Sequence, residues 1–303
     1  MSDIDLHYLS QCYGRAFASC ELVVPGVNRT YRLAAGGDVY YLRLYRPVGR
    51  SPAEIAFELR LLREVRPTPG LDVARPIRTV DGADCAQVPF GGVGRAACLF
   101  EALDGRPITD DPEDVALFGS ALAKLHDALA GIGGGGARLL DPGALCAHAA
   151  ASLANISGSE AAQRAIDRCR AEMLGDPAAH GLPSGNCHGD ARLANAIVQD
   201  GTVGFFDFDD CGCGPYLLDL GTAAWHLALG DPSRTAALIA ALLEGYGSER
   251  PLSQAERRVL PHYVKLAEVR SLLFLAEFCT LADGLWRRVL DRATNLLERE
   301  LTI

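Results

Sequence analysis

At residue 51 the chain reads Ser51-Pro52-Ala53-Glu54, followed by Ile55, Leu59 and Leu62 at helical spacing. A serine cap, a proline at the first helical position and a glutamate three residues past the cap predict a helix start. On both sides of this helix the apolar period shortens to two. Residues 20 to 46 read as strands, with Pro25-Gly26 and Gly36-Gly37 as turn signals. Residues 73 to 103 return to strand text around Asp81-Gly82 and end in the apolar run Ala96-Ala97-Cys98-Leu99-Phe100. A short amphipathic helix with Leu6, Leu9 and Tyr13 on one face opens the chain.

From Pro112 the period becomes helical. Val115, Phe118, Leu122, Leu125 and Leu129 form one stripe, closed by the glycine run 133 to 136. Further helices are predicted from Asp231-Pro232, from Ser253 with Glu256 three residues on, and from about Leu285 to Glu300; Pro261 is expected to kink or split the second of these. The fold class is therefore α+β and bilobal: a small β-rich lobe over residues 1–103 and a larger helical lobe over 104–303, without internal repeats. Ligands tend to bind between such lobes.

Composition narrows the function. The 303 residues are 49% hydrophobic and 22% charged, enough for a sizeable core, and the net charge of −9 argues against a nucleic-acid surface. The first thirty residues are charged, and no later run approaches the ~20 apolar residues of a membrane span, so a cytoplasmic location without membrane attachment is expected. Nothing in the sequence sets an oligomeric state. Ten cysteines are scattered and read as reduced core residues. Cys211-Gly212-Cys213 with Cys187 and His188 is a weak zinc candidate, because C-x-C lacks the spacer of structural sites. The only lysines are Lys124 and Lys265, so any fixed cation in the first lobe is an arginine.

The sharpest chemical signal is Cys187-His188-Gly189-Asp190-Ala191-Arg192-Leu193-Ala194-Asn195, followed by Asp207-Phe208-Asp209. Phosphoryl transfer needs a group that orients and deprotonates the acceptor hydroxyl, and metal ions that neutralise charge between phosphates. Asp190 suits the first task; Asn195 and Asp207 suit the second. Asp200-Gly201 predicts a two-residue hairpin turn that brings Asn195 and Asp207 together. Counting outward from that turn sets Asn195 opposite Phe206, so the ladder must end or bulge for Asp207 to share its face. Asp207 and Asp209 are expected on one face of an extended stretch, a pair that suggests two Mg2+ ions.

These residues resemble the aminoglycoside phosphotransferase, choline kinase and homoserine kinase group, whose fingerprint runs H-G-D-x4-N and then D-x-D. Gly214-Pro215 and Asp219-Leu220 extend the match, and Asn28-Arg29-Thr30-Tyr31 is similar to that group's N-x-x-Y strand. The resemblance covers roughly residues 20 to 290 and is densest from 186 to 220. It implies a protein-kinase-like fold, ATP and Mg2+ as cofactors, Asp190 as catalytic base, and Asn195, Asp207 and Asp209 as metal ligands. His188 would brace the catalytic loop, and Arg192 would face the transferred phosphoryl group. In kinases a strand lysine grips the phosphates and pairs with a helix glutamate. Here Arg43 and Glu58 take those positions, with Arg46 the alternative cation. Asn28 joins the nucleotide-binding set, and the backbone around Glu101 to Leu103 would meet adenine.

The acceptor implied is a hydroxyl on a small molecule: an aminoglycoside, an amino alcohol, or a hydroxy amino acid such as homoserine. A stress-response-type protein kinase and a nucleotide-binding pseudokinase are the alternatives. Candidate acceptor residues on the helical lobe are Asp210, Tyr216, Trp225, His226, Glu268, Arg270, Glu277 and Asp283. The acidic balance favours an amine-bearing metabolite or an aminoglycoside, whereas Arg192 and Arg270 offer partners for a carboxylate.

Overall fold

The computed structural model describes residues 4–133 and 138–301. Gly36 and Gly37 both take positive φ, at 63° and 96°. That turn folds β2 (Arg29–Ala35) back onto β3 (Asp38–Leu44). With β1 (Phe17–Pro25), β5 (Pro76–Ile77), β6 (Ala86–Phe90) and β7 (Val93–Glu101) they form a six-stranded sheet in which β3 lies between β2 and β7. Alternation sorts its side chains. Leu42, Leu44, Ala97 and Leu99 face the cluster that holds Leu9 and Tyr13 of α1 (Leu6–Tyr13). Tyr45, Cys98 and Phe100 face the opposite cluster, with Phe57, Leu61 and Leu62 of α2 (Pro52–Glu64). Both bonds of the predicted capping box start α2: Ser51 Oγ accepts from Glu54 N, and Glu54 accepts from Ser51 N at 2.7 Å.

A second sheet pairs β4 (Leu71–Val73) in parallel with β11 (Thr202–Phe205), then β10 (Ala196–Gln199) and β8 (Arg106–Pro107). Its central hairpin turns on Asp200 and Gly201, with φ of 49° and 75°, the two positive values that a type I′ turn requires. A third, two-stranded sheet joins β9 (Ser184–Cys187) to β12 (Gly212–Pro215). These short strands deliver the conspicuous motif to the lobe junction.

The larger lobe is helical. α3 (Pro112–Ala130) and α7 (Pro232–Glu249) approach so closely that a Cβ on Gly119 would sit 2.3 Å from Leu242 O, and one on Gly245 2.0 Å from Ala116 O. α4 (Pro142–Leu153) and α5 (Glu160–Gly175) add a pair absent from the sequence reading. α6 (Leu217–Ala228), α8 (Gln254–Phe278) and α9 (Asp283–Glu298) complete the lobe. Pro261, eight residues into α8, does not split the helix, because the packed face carrying Val259, Leu260, Tyr263 and Val264 holds the turn together. The glycine run was expected to close α3; Gly131 caps it, and residues 134 to 136 lie outside the described residues. Among the described residues no helix is long and apolar enough to cross a membrane.

Candidate active site

The hairpin β10–β11 keeps the predicted register, ending with Ala196 opposite Phe205 and a last bond from Phe206 N to Asn195 O at 3.0 Å. Beyond it both strands curl. Leu193–Asn195 is a 3-10 turn, and Asp207 enters the left-handed region with φ 65° and ψ 58° before a second 3-10 turn over Phe208–Asp210. The expected extended stretch through Asp207 and Asp209 is therefore absent. A single residue in a costly conformation ends the ladder and reorients Asp207.

Asp190 is held from two sides. Asn195 Nδ2 donates to its backbone oxygen at 2.8 Å and to Oδ2 at 2.9 Å, while Arg192 donates to Oδ2 from Nε at 3.0 Å and from Nη2 at 2.5 Å. Both Asn195 amide hydrogens are thus engaged, which leaves its carbonyl oxygen as a hard donor. His188 braces this loop: Asp190 N donates to Nδ1 at 3.2 Å, so the ring proton lies on Nε2 and is donated to Phe206 O at 3.0 Å. Gly189 is required beside it. At φ 85°, a Cβ there would lie 1.8 Å from Asp210 O.

Asp219 anchors the loop from below. Its fully buried carboxylate accepts from His188 N at 2.7 Å and Gly189 N at 2.8 Å, and touches His126 Nε2 at 3.0 Å. The other His126 nitrogen meets the Tyr246 hydroxyl at 2.9 Å. Burial alone would raise the Asp219 carboxyl, yet His126 and these amide donors hold it below the usual carboxylate range. His126 was missed in the sequence. The available signal is a polar residue sitting on the apolar stripe of α3, four residues from Leu122.

From the first lobe, Arg43 bridges the two halves: Nη1 meets Glu58 Oε1 at 2.6 Å and Nη2 meets Asp207 Oδ1 at 2.9 Å. Tyr45 donates to the second Glu58 oxygen at 2.9 Å. Burial opposes charge on Arg43, but Asp207 and Glu58 outweigh it and keep the guanidinium ionised. Burial pushes the Glu58 carboxyl up, to about 7, against the pull of Arg43. Asp207 retains a side chain 44% exposed.

Asp209 is engaged differently. Arg50 grips it from Nε and Nη2, both at 3.2 Å, and Arg46 Nη2 lies 3.6 Å away while stacking on Phe278 at 4.4 Å. Arg50 also reaches Asp210, which Arg138 meets at 3.2 Å and Arg270 approaches at 3.9 Å. Burial would raise the Asp210 carboxyl, but Arg270, Arg138 and Arg50 hold it far below the usual range. Arg50 and Arg138 had no sequence signal, since each is one arginine among many.

Other candidates scatter. The Asn28 side chain accepts from Arg46 N at 2.9 Å, tying the β1–β2 loop to the end of β3. Glu101 N donates to Arg75 O at 2.9 Å, and Leu103 packs against Gly204. Trp225 Nε1 donates to buried Glu268 at 2.6 Å, and Arg292 takes the other carboxylate oxygen at 2.9 Å. Next to Trp225, His226 is lowered by burial first and then by the Arg192 charge, which places it near Asp190. Arg270 bonds Gly189 O beneath the loop. Tyr216 stacks on His126 at 4.5 Å, Glu277 pairs with His148 at 2.7 Å, and Asp283 opens α9 exposed.

No zinc cluster forms: Cys187 Sγ faces the carbonyls of Gly185, Gly214 and Pro215, and both His188 nitrogens are engaged. Among the described residues no three His, Cys, Asp or Glu side chains converge as a metal cage. Asn195 and Asp207 offer oxygen donors only, a set that fits a hard divalent cation coordinated mainly by phosphates.

A model of the phosphotransferase enzyme family matches residues 26–262. The chain belongs to that family. It is a phosphotransferase acting on a hydroxyl group. The chain is 33% identical over 265 residues to a homoserine kinase of Gluconacetobacter diazotrophicus, covering 83% of this chain and 78% of the relative. Among solved structures, a microcompartment-associated aminopropanol kinase is similar with a TM-score of 0.76 and 25% identity, over 96% of this chain and 93% of that one. The amicoumacin kinase hAmiN in complex with AMP-PNP, Ca2+ and Ami also gives a TM-score of 0.76, at 18% identity over 96% and 92% of the two chains. At that identity the likeness speaks for the protein-kinase-like fold.

Proposed function

We propose that the protein transfers the γ-phosphate of Mg-ATP to the hydroxyl of a small hydroxy amino acid of the homoserine type. The observation that carries the reading is the Asp190 carboxylate fixed by Asn195 and Arg192, in the same site as an Asp207 already bonded to the Arg43–Glu58 pair. Asp190 Oδ1 accepts the acceptor's proton while Oδ2 stays anchored. Arg43 grips the nucleotide phosphates with its charge sustained by Glu58, and Arg192 neutralises charge developing on the moving phosphoryl group. Magnesium held by the Asn195 oxygen and Asp207 would supply the charge neutralisation between phosphates. Asp209 serves as the anchor of Arg46 and Arg50. Adenine would meet backbone beyond Glu101, whose N–H is already taken.

The acceptor class rests on which charges are free. A polycationic aminoglycoside needs several open carboxylates within reach. Asp210 is held by Arg50 and Arg138 and approached by Arg270, and Glu268 by Trp225 and Arg292. Family resemblance to homoserine kinase supports the smaller acceptor, with amino alcohols second on the likeness to the aminopropanol kinase. An ADP-release screen against homoserine, 1-amino-2-propanol, choline and kanamycin should show turnover with homoserine. Turnover with kanamycin alone would overturn the acceptor class.

A further inference from the structure

Two thiols outside the proposed chemistry meet behind the phosphate-gripping arginine. In the β6–β7 ladder Ala86 pairs with Ala97 and Gln87 with Ala96, antiparallel and without a shift. One step beyond the last pair, the same register sets Cys85 opposite Cys98. Directly opposed residues of an antiparallel pair have Cα atoms about 4.5–5.5 Å apart, inside the range that a disulfide spans. Their side chains also share a face. Ala86, Ala97 and Leu99 belong to the cluster on the α1 side, whereas Cys98 belongs to the α2-side cluster and Cys85 packs against that same cluster. On this face Cys98 is the ladder partner of Arg43, and Tyr45 and Glu58 lie with it. Cys98 is fully buried and Cys85 partly exposed, both as free thiols.

We propose that Cys85 and Cys98 are a redox modification site, closing to a cross-strand disulfide under a peroxide and thereby weakening the nucleotide grip of Arg43. Peroxide transfers one oxygen to the Cys85 sulfur, giving a sulfenic acid and a first water. Cys98 then attacks that sulfur, expelling hydroxide, which takes the Cys98 proton to leave as a second water. Two thiols lose two electrons and two protons, and peroxide is reduced. The order follows from access: Cys85 meets solvent, while burial pushes the Cys98 thiol well above its ordinary value and reserves it for the second step. Drawing the Cys98 sulfur towards Cys85 changes the packing beneath Arg43, Tyr45 and Glu58.

The functional half rests on the reading of Arg43 as a phosphate-binding residue; the covalent half does not. The test treats the full chain with hydrogen peroxide, alkylates free thiols, and digests with trypsin without reductant. Arg95 separates the cysteines, so the link joins the fragment 79–95 to the fragment 96–124, each with a single cysteine. The expected result is that joined species, two hydrogens lighter than the sum and split by dithiothreitol. Roughly tenfold weaker Mg-ATP affinity should accompany it, the scale on which a displaced packing contact affects a neighbouring site. Affinity should return with dithiothreitol, and Cys85→Ser should keep its affinity under the same treatment. Fragments that stay separate while other cysteines oxidise overturn the site. A full cross-link with unchanged affinity, or an equal loss in Cys85→Ser, overturns the effect on nucleotide grip. Reduced protein that binds no nucleotide instead contradicts the proposed function and leaves the cross-link assay intact.

Discussion

At the scale of single residues, Arg43 ties Glu58 to Asp207, and under the proposed function it is the cation that grips the nucleotide. Arginine's planar fork can hold Glu58 and Asp207 at once, at 2.6 and 2.9 Å, which a point-charge ammonium does less well. Arg43→Ala should weaken Mg-ATP binding at least tenfold, since a charge-assisted hydrogen bond is worth about 1.5–3 kcal/mol. Arg46→Ala should leave that affinity within about threefold, because its head stacks on Phe278 and leans towards Asp209. Calorimetric titration of both variants separates them, and the reverse pattern would transfer the role to Arg46. Single residues were also where the sequence was most and least informative. That Asn195 would share a motif with Asp190 was legible from their spacing, and the structure bonds the two side chains. Arg50 and His126 were not, because their roles exist only through partners distant in the chain, Asp209 and Asp219.

Among elements, the loop that carries Asp190 depends on close approach and on one buried carboxylate. Gly189→Ala would drive a Cβ to 1.8 Å from Asp210 O at a φ of 85°, so the loop must move. A loss of about 1–3 kcal/mol in stability is expected from the strain alone, read as a lower Tm, together with loss of transfer. Asp219 gives a pH signature with a definite sign. Its folded pKa is depressed, so its contribution is fully present above the unfolded value of about 3.9 and is lost as pH falls through the lower folded value. Asp219→Asn should therefore lower Tm at pH 7, and the gap to wild type should narrow below about pH 4. A gap that widens in acid would contradict the assignment. Element boundaries were largely legible where chemistry marks them: the Ser51 cap and the Asp200-Gly201 turn both act locally. Pro261 did not split α8 because tertiary packing overrides a local breaker, and α4 was unread because its alanine-rich text shows little apolar contrast.

For the whole molecule, the charged residues that join the lobes matter more than the net charge. A net of −9 suggested attraction for cationic acceptors, yet the carboxylates at the junction are already matched by Arg43, Arg46, Arg50 and Arg138. Composition could not foresee this, because pairing is a property of the folded arrangement. What composition did foresee is that the cation paired with Glu58 and Asp207 would be an arginine, as the first lobe's lack of lysine required. The central claim is that Asp190 deprotonates a hydroxyl acceptor for transfer from Mg-ATP. The most direct measurement is ADP release with homoserine by wild type and Asp190→Asn, with and without Mg2+, alongside nucleotide affinity for both proteins. The account predicts Mg-dependent, homoserine-dependent release by wild type. It predicts a loss of at least about a hundredfold in Asp190→Asn, the scale of a general base, with nucleotide affinity retained. Near-normal homoserine-dependent release by Asp190→Asn would contradict it.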